Sequence, residues 1–232
     1  MPKKEFIRKM FDDIAPEYDR LNHLLSLDVD RLWRRKAVRD NVTPQTMAVL
    51  DVACGTGDSA IALAKAIPEG GMVTGVDISA GMMALVEEKA RKAGVGSKVR
   101  TEEADGENLP YKEESFDLVT CAFGIRNFEH KEQGLREFRR VLKDGGRVMI
   151  LELSLPANKV LRFFYDIYFT RILPVVGGWI SGDKSAYRYL PASVHAFPPE
   201  DEFRRMMAEA GFTNVRSRRF SLGLCRMFTA ER

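Results

Sequence analysis

The stretch Val49-Leu-Asp-Val-Ala-Cys-Gly-Thr-Gly-Asp-Ser-Ala60 constrains this chain more than any other, because a short apolar run breaks there into a glycine turn and continues as an amphipathic helix. Met47 to Val52 reads as a strand buried on both faces, and Ile61, Leu63, Ala64 and Ile67 recur at helical spacing behind the turn. Gly55 and Gly57 carry no Cβ at the bend, so a ligand can lie against main-chain N–H groups at the helix start, with the Thr56 hydroxyl inside the same cradle. Alone the stretch is ambiguous. Gly55-x-Gly57-x-x-Ala60 also satisfies the dinucleotide fingerprint, and a glycine turn that merely packs a helix on a strand would use the same residues.

The elements that follow narrow the choice. Met72 to Val76 reads as a second strand ending at Asp77, where a carboxylate would meet ribose hydroxyls of either a nicotinamide cofactor or S-adenosylmethionine. Asp51 inside the first strand and Asp105 after a third strand at Lys98 to Glu103 separate the two. Carboxylates repel a pyrophosphate, whereas the ammonium, sulfonium and adenine amine of S-adenosylmethionine are served by acceptors. A helix from Ser79 or Ala80 through Ala93, a fourth strand at Ser115 to Ala122, a helix over Lys131 to Leu142 and a fifth strand at Arg147 to Leu153 continue the βαβ alternation. A helix over Pro199 to Ala210 and a hairpin of Val215 to Phe220 with Leu224 to Phe228 complete an expected α/β sheet of seven strands, mostly parallel and covered by helices on both faces.

Four regions are expected: a helical cap over 1–46, a Rossmann-like core over 47–155, an aromatic helical insertion over 156–198, and a helix with a strand hairpin over 199–232 that completes the core. In the cap, a helix from Phe6 to Ile14 is expected to stop at Pro16, and Tyr18, Asn22 and His23 suit either helix packing or a ligand cleft. The insertion holds Phe163, Phe164, Tyr165, Tyr168, Phe169, Trp179, Tyr187, Tyr189 and Phe197. Its helix, with a polar line through Arg162, Asp166 and Thr170 and an end at Pro174, is too short to cross a bilayer. It fits a core helix, a lid over an apolar substrate, or an interfacial helix touching lipid.

Composition excludes some partners. A net charge of +3 with 30% charged residues gives no reason to expect nucleic acid. Three cysteines, Cys54, Cys121 and Cys225, lack C-x-x-C spacing, and His23, His130 and His195 are dispersed, so neither a disulfide framework nor a metal site is expected. The charged N-terminus has no signal-peptide core, which points to a cytoplasmic location.

The glycine stretch, the acidic strand ends, Leu109-Pro110, Phe116-Asp117 and the run Val141 to Gly146 resemble a class I S-adenosylmethionine-dependent methyltransferase. More narrowly, Tyr18 to Leu25, Phe123-Gly-Ile-Arg-Asn127 and Ser185 to Leu190 resemble the ubiquinone/menaquinone biosynthesis C-methyltransferase family over nearly the whole chain. The resemblance implies methylation of a ring carbon of a prenylated quinol, and the C-terminal segments are more similar to demethylmenaquinone methyltransferases. It carries cofactor contacts onto Thr56, Asp77, Asp105 and Gly106, and the set expected here is Asp51, Gly55, Thr56, Gly57, Asp77, Ile78, Asp105, Gly106 and Ala122. Ala122 stands where some relatives place a serine.

A sulfonium is already a strong methyl donor, so the protein must align donor and carbon, exclude water and make the ring electron-rich. Arg126 cannot act as a base, and is expected to stabilise the developing phenolate with Asn127 orienting it. A structural turn would use the same pair. Asp19, His195, Tyr187 and Tyr189 stand as unranked candidates for the proton acceptor. Expected partners are a prenylated naphthoquinol, transient contact with a membrane surface through residues 160–180 and Lys3, Lys4, Arg8 and Lys9, and a homodimer as candidate assembly. Other readings stay open: methylation of another small molecule, nicotinamide-dependent oxidation, or S-adenosylmethionine binding without catalysis.

Overall fold

The computed structural model describes residues 4–172 and 185–232, with side chains except those of 25, 172 and 185–188. Seven strands form one sheet in the order β3-β2-β1-β4-β5-β7-β6. They are β1 (Ala48–Val52), β2 (Met72–Asp77), β3 (Val99–Glu103), β4 (Phe116–Ala122), β5 (Leu142–Leu153), β6 (Thr213–Phe220) and β7 (Cys225–Glu231). β7 alone runs against its neighbours, pairing antiparallel with both β5 and β6. The expected terminal hairpin is therefore present, and the sheet is mostly parallel.

Strand alternation sorts the core onto two faces. Leu50, Val52, Val119, Cys121, Ile150 and Phe228 face one cluster with Phe138 and Phe203 of α6 (Lys131–Val141) and a helix at Glu200–Glu209. Val49, Leu118, Met149, Leu151 and Met227 face the other, with Trp33 and Val38 of α2 (Val29–Asn41) and Leu63 of α3 (Asp58–Ala66). β3 is an edge strand whose side chains, Arg100 to Glu103, are exposed, a polar edge that discourages further pairing. The helix expected from Ser79 through Ala93 is two helices, α4 (Ala80–Met83) and α5 (Val86–Lys92).

Pro16 does not end the first helix. α1 spans Lys4–Ser26 with Pro16 inside it. An interior proline costs about 3 kcal/mol, but Ile7, Met10, Ile14, Ala15 and Leu21 stay on one face and pack with Met82 in a third cluster. At about 1.5 to 3 kcal/mol per buried large side chain, that burial outweighs the lost hydrogen bond. Asp12 also fastens α1 to α4, its carboxylate accepting from the Ser79 hydroxyl at 2.6 Å and the Gly81 amide at 3.0 Å.

In the insertion, α7 (Lys159–Ile167) continues into a π-turn at Tyr168–Ile172, and α8 (Ser185–Ala196) contains Pro191. Asn158 caps α7, accepting from the amides of Val160 and Leu161. Trp179 and the expected stop at Pro174 lie outside the described residues. Among the described residues no helix is long and apolar enough to cross a membrane.

Candidate active site

The strand order reverses between β1 and β4, and a cleft opens at the carboxyl ends of the strands there, as physics expects of an open α/β sheet. Ala53 to Thr56 follow β1, Asp77 ends β2 with Ile78 next to it, Ala104 to Glu107 follow β3, and Ala122 ends β4 with Phe123 and Gly124 behind it; all line this cleft. α1 roofs it with Ile7, Phe11 and Tyr18. Gly55 has φ +55° and open space where a Cβ would stand. Gly57 has φ +87° and precedes α3, and a Cβ there would come within 2.7 Å of Val86 Cγ1. The turn thus needs both glycines, one for the room beside it and one for the helix packed behind it.

Asp77 accepts from the Gly55 amide at 2.8 Å through Oδ2 and from the Ser79 amide at 2.9 Å through Oδ1. Burial raises its pKa, and those two amides oppose the rise. Each oxygen keeps a lone pair for a hydroxyl. Asp105 accepts from the Glu107 amide at 3.0 Å and is paired with Lys4. Lys4 therefore turns inward onto the cleft, away from the membrane-facing role expected of it; Arg8 and Lys9 are exposed. Gly106 lies against Phe128, where a Cβ would meet Cζ at 2.5 Å. Asp51 sits behind the cleft, Oδ1 accepting from Thr120 at 2.6 Å and Oδ2 without a partner among the described residues. Burial pushes its carboxyl up to about 7, against the pull of the Thr120 hydroxyl. Open space at Gly55 and acceptor carboxylates around it fit S-adenosylmethionine.

A second cavity of about 660 Å³ adjoins the first and is mainly apolar, with Leu153, Leu161, Phe164, Phe169, Leu190 and Leu224 in its wall. The two share Tyr18, Arg34 and Phe123. Phe123, shared by both cavities, has φ +60°, and Ala53, on the first alone, has φ +55°, so backbone strain is placed at the cofactor cleft and where the cavities meet. Arg34 stacks on the Phe123 ring at 4.7 Å and donates to Ser59 Oγ at 3.0 Å.

Arg126 is buried and lines the second cavity. Its Nη1 donates to Glu152 Oε1 at 2.9 Å and to the Phe123 carbonyl, and its Nε lies 3.3 Å from Ser193 Oγ. Burial opposes its charge, but the Glu152 carboxylate keeps its pKa raised. Asn127 lines the first cleft and accepts from the Tyr189 hydroxyl at 2.9 Å, so Tyr189 acts on Asn127. Asp19 is tied to Thr56 and Lys89. His195 lines neither cavity; its Nε2 is 3.3 Å from Asp166 on α7. The Tyr187 side chain lies outside the described residues.

The fold also gathers Asp19, His23 and Asp58, with ligand atoms within 4.8 Å of one another, although the sequence shows the histidines dispersed. The Lys89 ammonium bridges the two carboxylates and is the cation there. Two site residues escaped the sequence, Glu152 and Asp30, and Tyr165 stands there only as one aromatic of the insertion. Glu152 is a lone acid in the apolar run from Val148 to Leu153, a pattern that signals a buried partner. Tyr165, whose buried hydroxyl has no hydrogen-bond partner among the described residues, lines the apolar cavity.

Known proteins resemble this arrangement at two levels. The cyclase SpnF superposes with a TM-score of 0.72 at 17% identity over 100% of this chain and 97% of its own. A methyltransferase from Thermotoga maritima, described as S-adenosylmethionine-dependent, superposes with a TM-score of 0.65 at 20% identity, covering 96% and 98%. At those identities the likeness speaks to the fold alone. The ubiquinone/menaquinone biosynthesis C-methyltransferase UbiE of Geobacter sulfurreducens is 46% identical over 99% of this chain and 90% of its own length. The demethylmenaquinone methyltransferase of Bacteroides fragilis is 42% identical, covering 99% and 94%. With the ubiE/COQ5 methyltransferase pattern matched over residues 1–232 and the cleft built as that chemistry needs, the chain belongs to the ubiE/COQ5 methyltransferase family.

Proposed function

We propose that this chain methylates a ring carbon of a prenylated naphthoquinol, demethylmenaquinol becoming menaquinol, with S-adenosylmethionine as methyl donor. The observation that carries the reading is the pair of adjoining cavities, one rimmed by carboxylates and the other apolar, meeting at Tyr18, Arg34 and Phe123. Bound S-adenosylmethionine supplies an electrophilic methyl group on a sulfonium. The glycine turn and Asp77 would hold its ribose and amino-acid ends, and Asp105 and Gly106 would bound its adenine side. Arg126, fixed by Glu152, places a desolvated cation for the negative charge that grows on the ring oxygen. Asn127, held by Tyr189, orients that oxygen from the cofactor side. Apolar walls take the prenyl tail and keep water from the donor.

In this reading residues 1–46 act as a cap, 47–155 with 199–232 as the cofactor core, and 156–198 as the substrate lid. The tail reaches the cavity from a bilayer. Leu27 (82% exposed), Leu222 (77%), Phe164 (62%) and Phe163 (61%) cluster at or beside the apolar cavity and form the lipid-touching rim. Because the similar proteins' names span both pathways, a benzoquinol is the second acceptor to test.

Trp33 offers the experiment, since it lines the apolar cavity and is one of two tryptophans in the chain. Titration with a short-chain demethylmenaquinone is expected to quench fluorescence in the wild type and far less in Trp33→Phe. Equal quenching in both proteins, or none, would count against this cavity as the quinol site.

A further inference from the structure

Asp30 stands in the first turn of α2, only 6% exposed, and lines the apolar cavity. Its Oδ1 accepts from the Ser26 hydroxyl at 2.6 Å. Its Oδ2 is buried and accepts no hydrogen bond from the described residues; Arg34 Nε lies 3.7 Å away, and His23 Nδ1 stands 3.3 Å from both oxygens, hydrogen-bonded to Oδ1. A buried carboxylate oxygen without a donor is costly, and such exceptions need an explanation.

His23 makes the carboxylate part of a path. Its Nε2 is 3.3 Å from Asp58 Oδ2, while Asp58 is itself paired with Lys89. Asp58 and Asp30 are both acceptors, so a neutral His23 carries its N–H toward one of them, and the tautomer with Nε2–H on Asp58 is the one that leaves the Nδ1 lone pair free for a proton from Asp30. The charged groups facing this pair are Arg34 on α2, Asp58 on α3, Lys89 on α5 and Asp19 on α1, with Arg126 across the same cavity.

We propose that Asp30 is the catalytic base for the ring hydroxyl and that His23 takes the proton onward, a proposal that rests on the quinol reading above. As the ring carbon forms its bond to the methyl carbon, the methyl–sulfur bond breaks with its electron pair left on sulfur. The carboxylate takes the hydroxyl proton as the new bond forms, so the negative charge growing on the oxygen, faced by Arg126, offsets the positive charge that the methyl group brings to the ring. The O–H pair stays with the ring oxygen. Rearomatisation is then a tautomerisation, in which the proton on the methylated carbon leaves and the ring oxygen takes one up from water to become a hydroxyl again, so that only the proton first given to Asp30 is released overall, equal to the positive charge the donor loses. That proton passes from Asp30 Oδ2 to His23 Nδ1, where an imidazolium would lie between two carboxylates.

The test follows label from methyl-labelled S-adenosylmethionine into a reduced short-chain demethylmenaquinol, with S-adenosylmethionine affinity measured separately by calorimetry. Asp30→Asn is expected to lower kcat at least 100-fold while leaving that affinity within about threefold. Its remaining rate should climb with pH, as ionisation of the quinol itself replaces the base. Asp30→Glu, which keeps a carboxylate, is expected to recover at least a tenth of the wild-type rate, and His23→Gln to lose roughly tenfold. Equal losses in the Asn and Glu variants would make Asp30 structural and overturn the proposal, as would an Asn variant within threefold of wild type. Those outcomes require wild-type transfer to the quinol; a wild type that labels no naphthoquinol would instead remove the substrate reading, and this proposal with it.

Discussion

Asp51→Asn isolates the electrostatic cost of the central strand. The Asp51 carboxyl is raised from 3.8 to about 7, chiefly by burial, with one oxygen accepting from Thr120 and the other without a described partner. Because the folded value lies above the unfolded one, the folded chain holds the proton more tightly. The group's contribution to stability is full below the unfolded value and is lost as pH rises through about 7. Integrated from pH 5 to pH 8, wild-type stability should fall by roughly 2 to 3 kcal/mol relative to Asp51→Asn, which cannot ionise. Urea unfolding of both proteins at each pH, compared at equal m, measures the difference directly. Saturating S-adenosylmethionine should flatten the slope, since a nearby cation favours the ionised carboxylate. Parallel pH curves for the two proteins without ligand would refute the reasoning.

Glu152→Gln strands the buried Arg126 guanidinium and is expected to cost about 3 kcal/mol, read from the thermal or urea midpoint; an unchanged midpoint would show that the pair is not coupled to folding. Gly57→Ala must hold an alanine at φ +87° against Val86, and should destabilise by about 1 to 3 kcal/mol while weakening S-adenosylmethionine binding in a calorimetric titration. Replacing both Phe163 and Phe164 by serine removes two exposed rings from the proposed rim. Liposome sedimentation at low salt should drop at least tenfold, given about 1.5 to 3 kcal/mol for each buried ring, and a wild type that does not sediment ends the membrane reading.

The sequence made the cofactor cleft legible because its parts are local. The glycine turn, Asp77 and Asp105 each sit at a strand end marked by a switch from apolar run to turn, and the parallel sheet brings those ends together without further instruction. Pro16 misled because its local cost is visible in sequence whereas the face that repays it, running from Ile7 to Leu21 against Met82, exists only after α1 docks. The acceptor side was less legible for the same reason. Arg126 is marked by its motif, but its partner Glu152 comes from a strand 26 residues away. Asp30 looks like an ordinary first-turn acid until α2 is laid along the cavity beside His23. His195 stood among the candidate proton acceptors, yet α8 turns it toward Asp166 and it lines neither cavity.

The measurement that bears most directly on the central claim is transfer of an isotopic methyl group from S-adenosylmethionine to chemically reduced, short-chain demethylmenaquinol in detergent, with the labelled position identified by carbon NMR. Label on the ring carbon beside a hydroxyl, lost in Arg126→Ala protein that still folds and still binds S-adenosylmethionine, is the predicted result. A quinol without label in the presence of confirmed S-adenosylmethionine binding would contradict it.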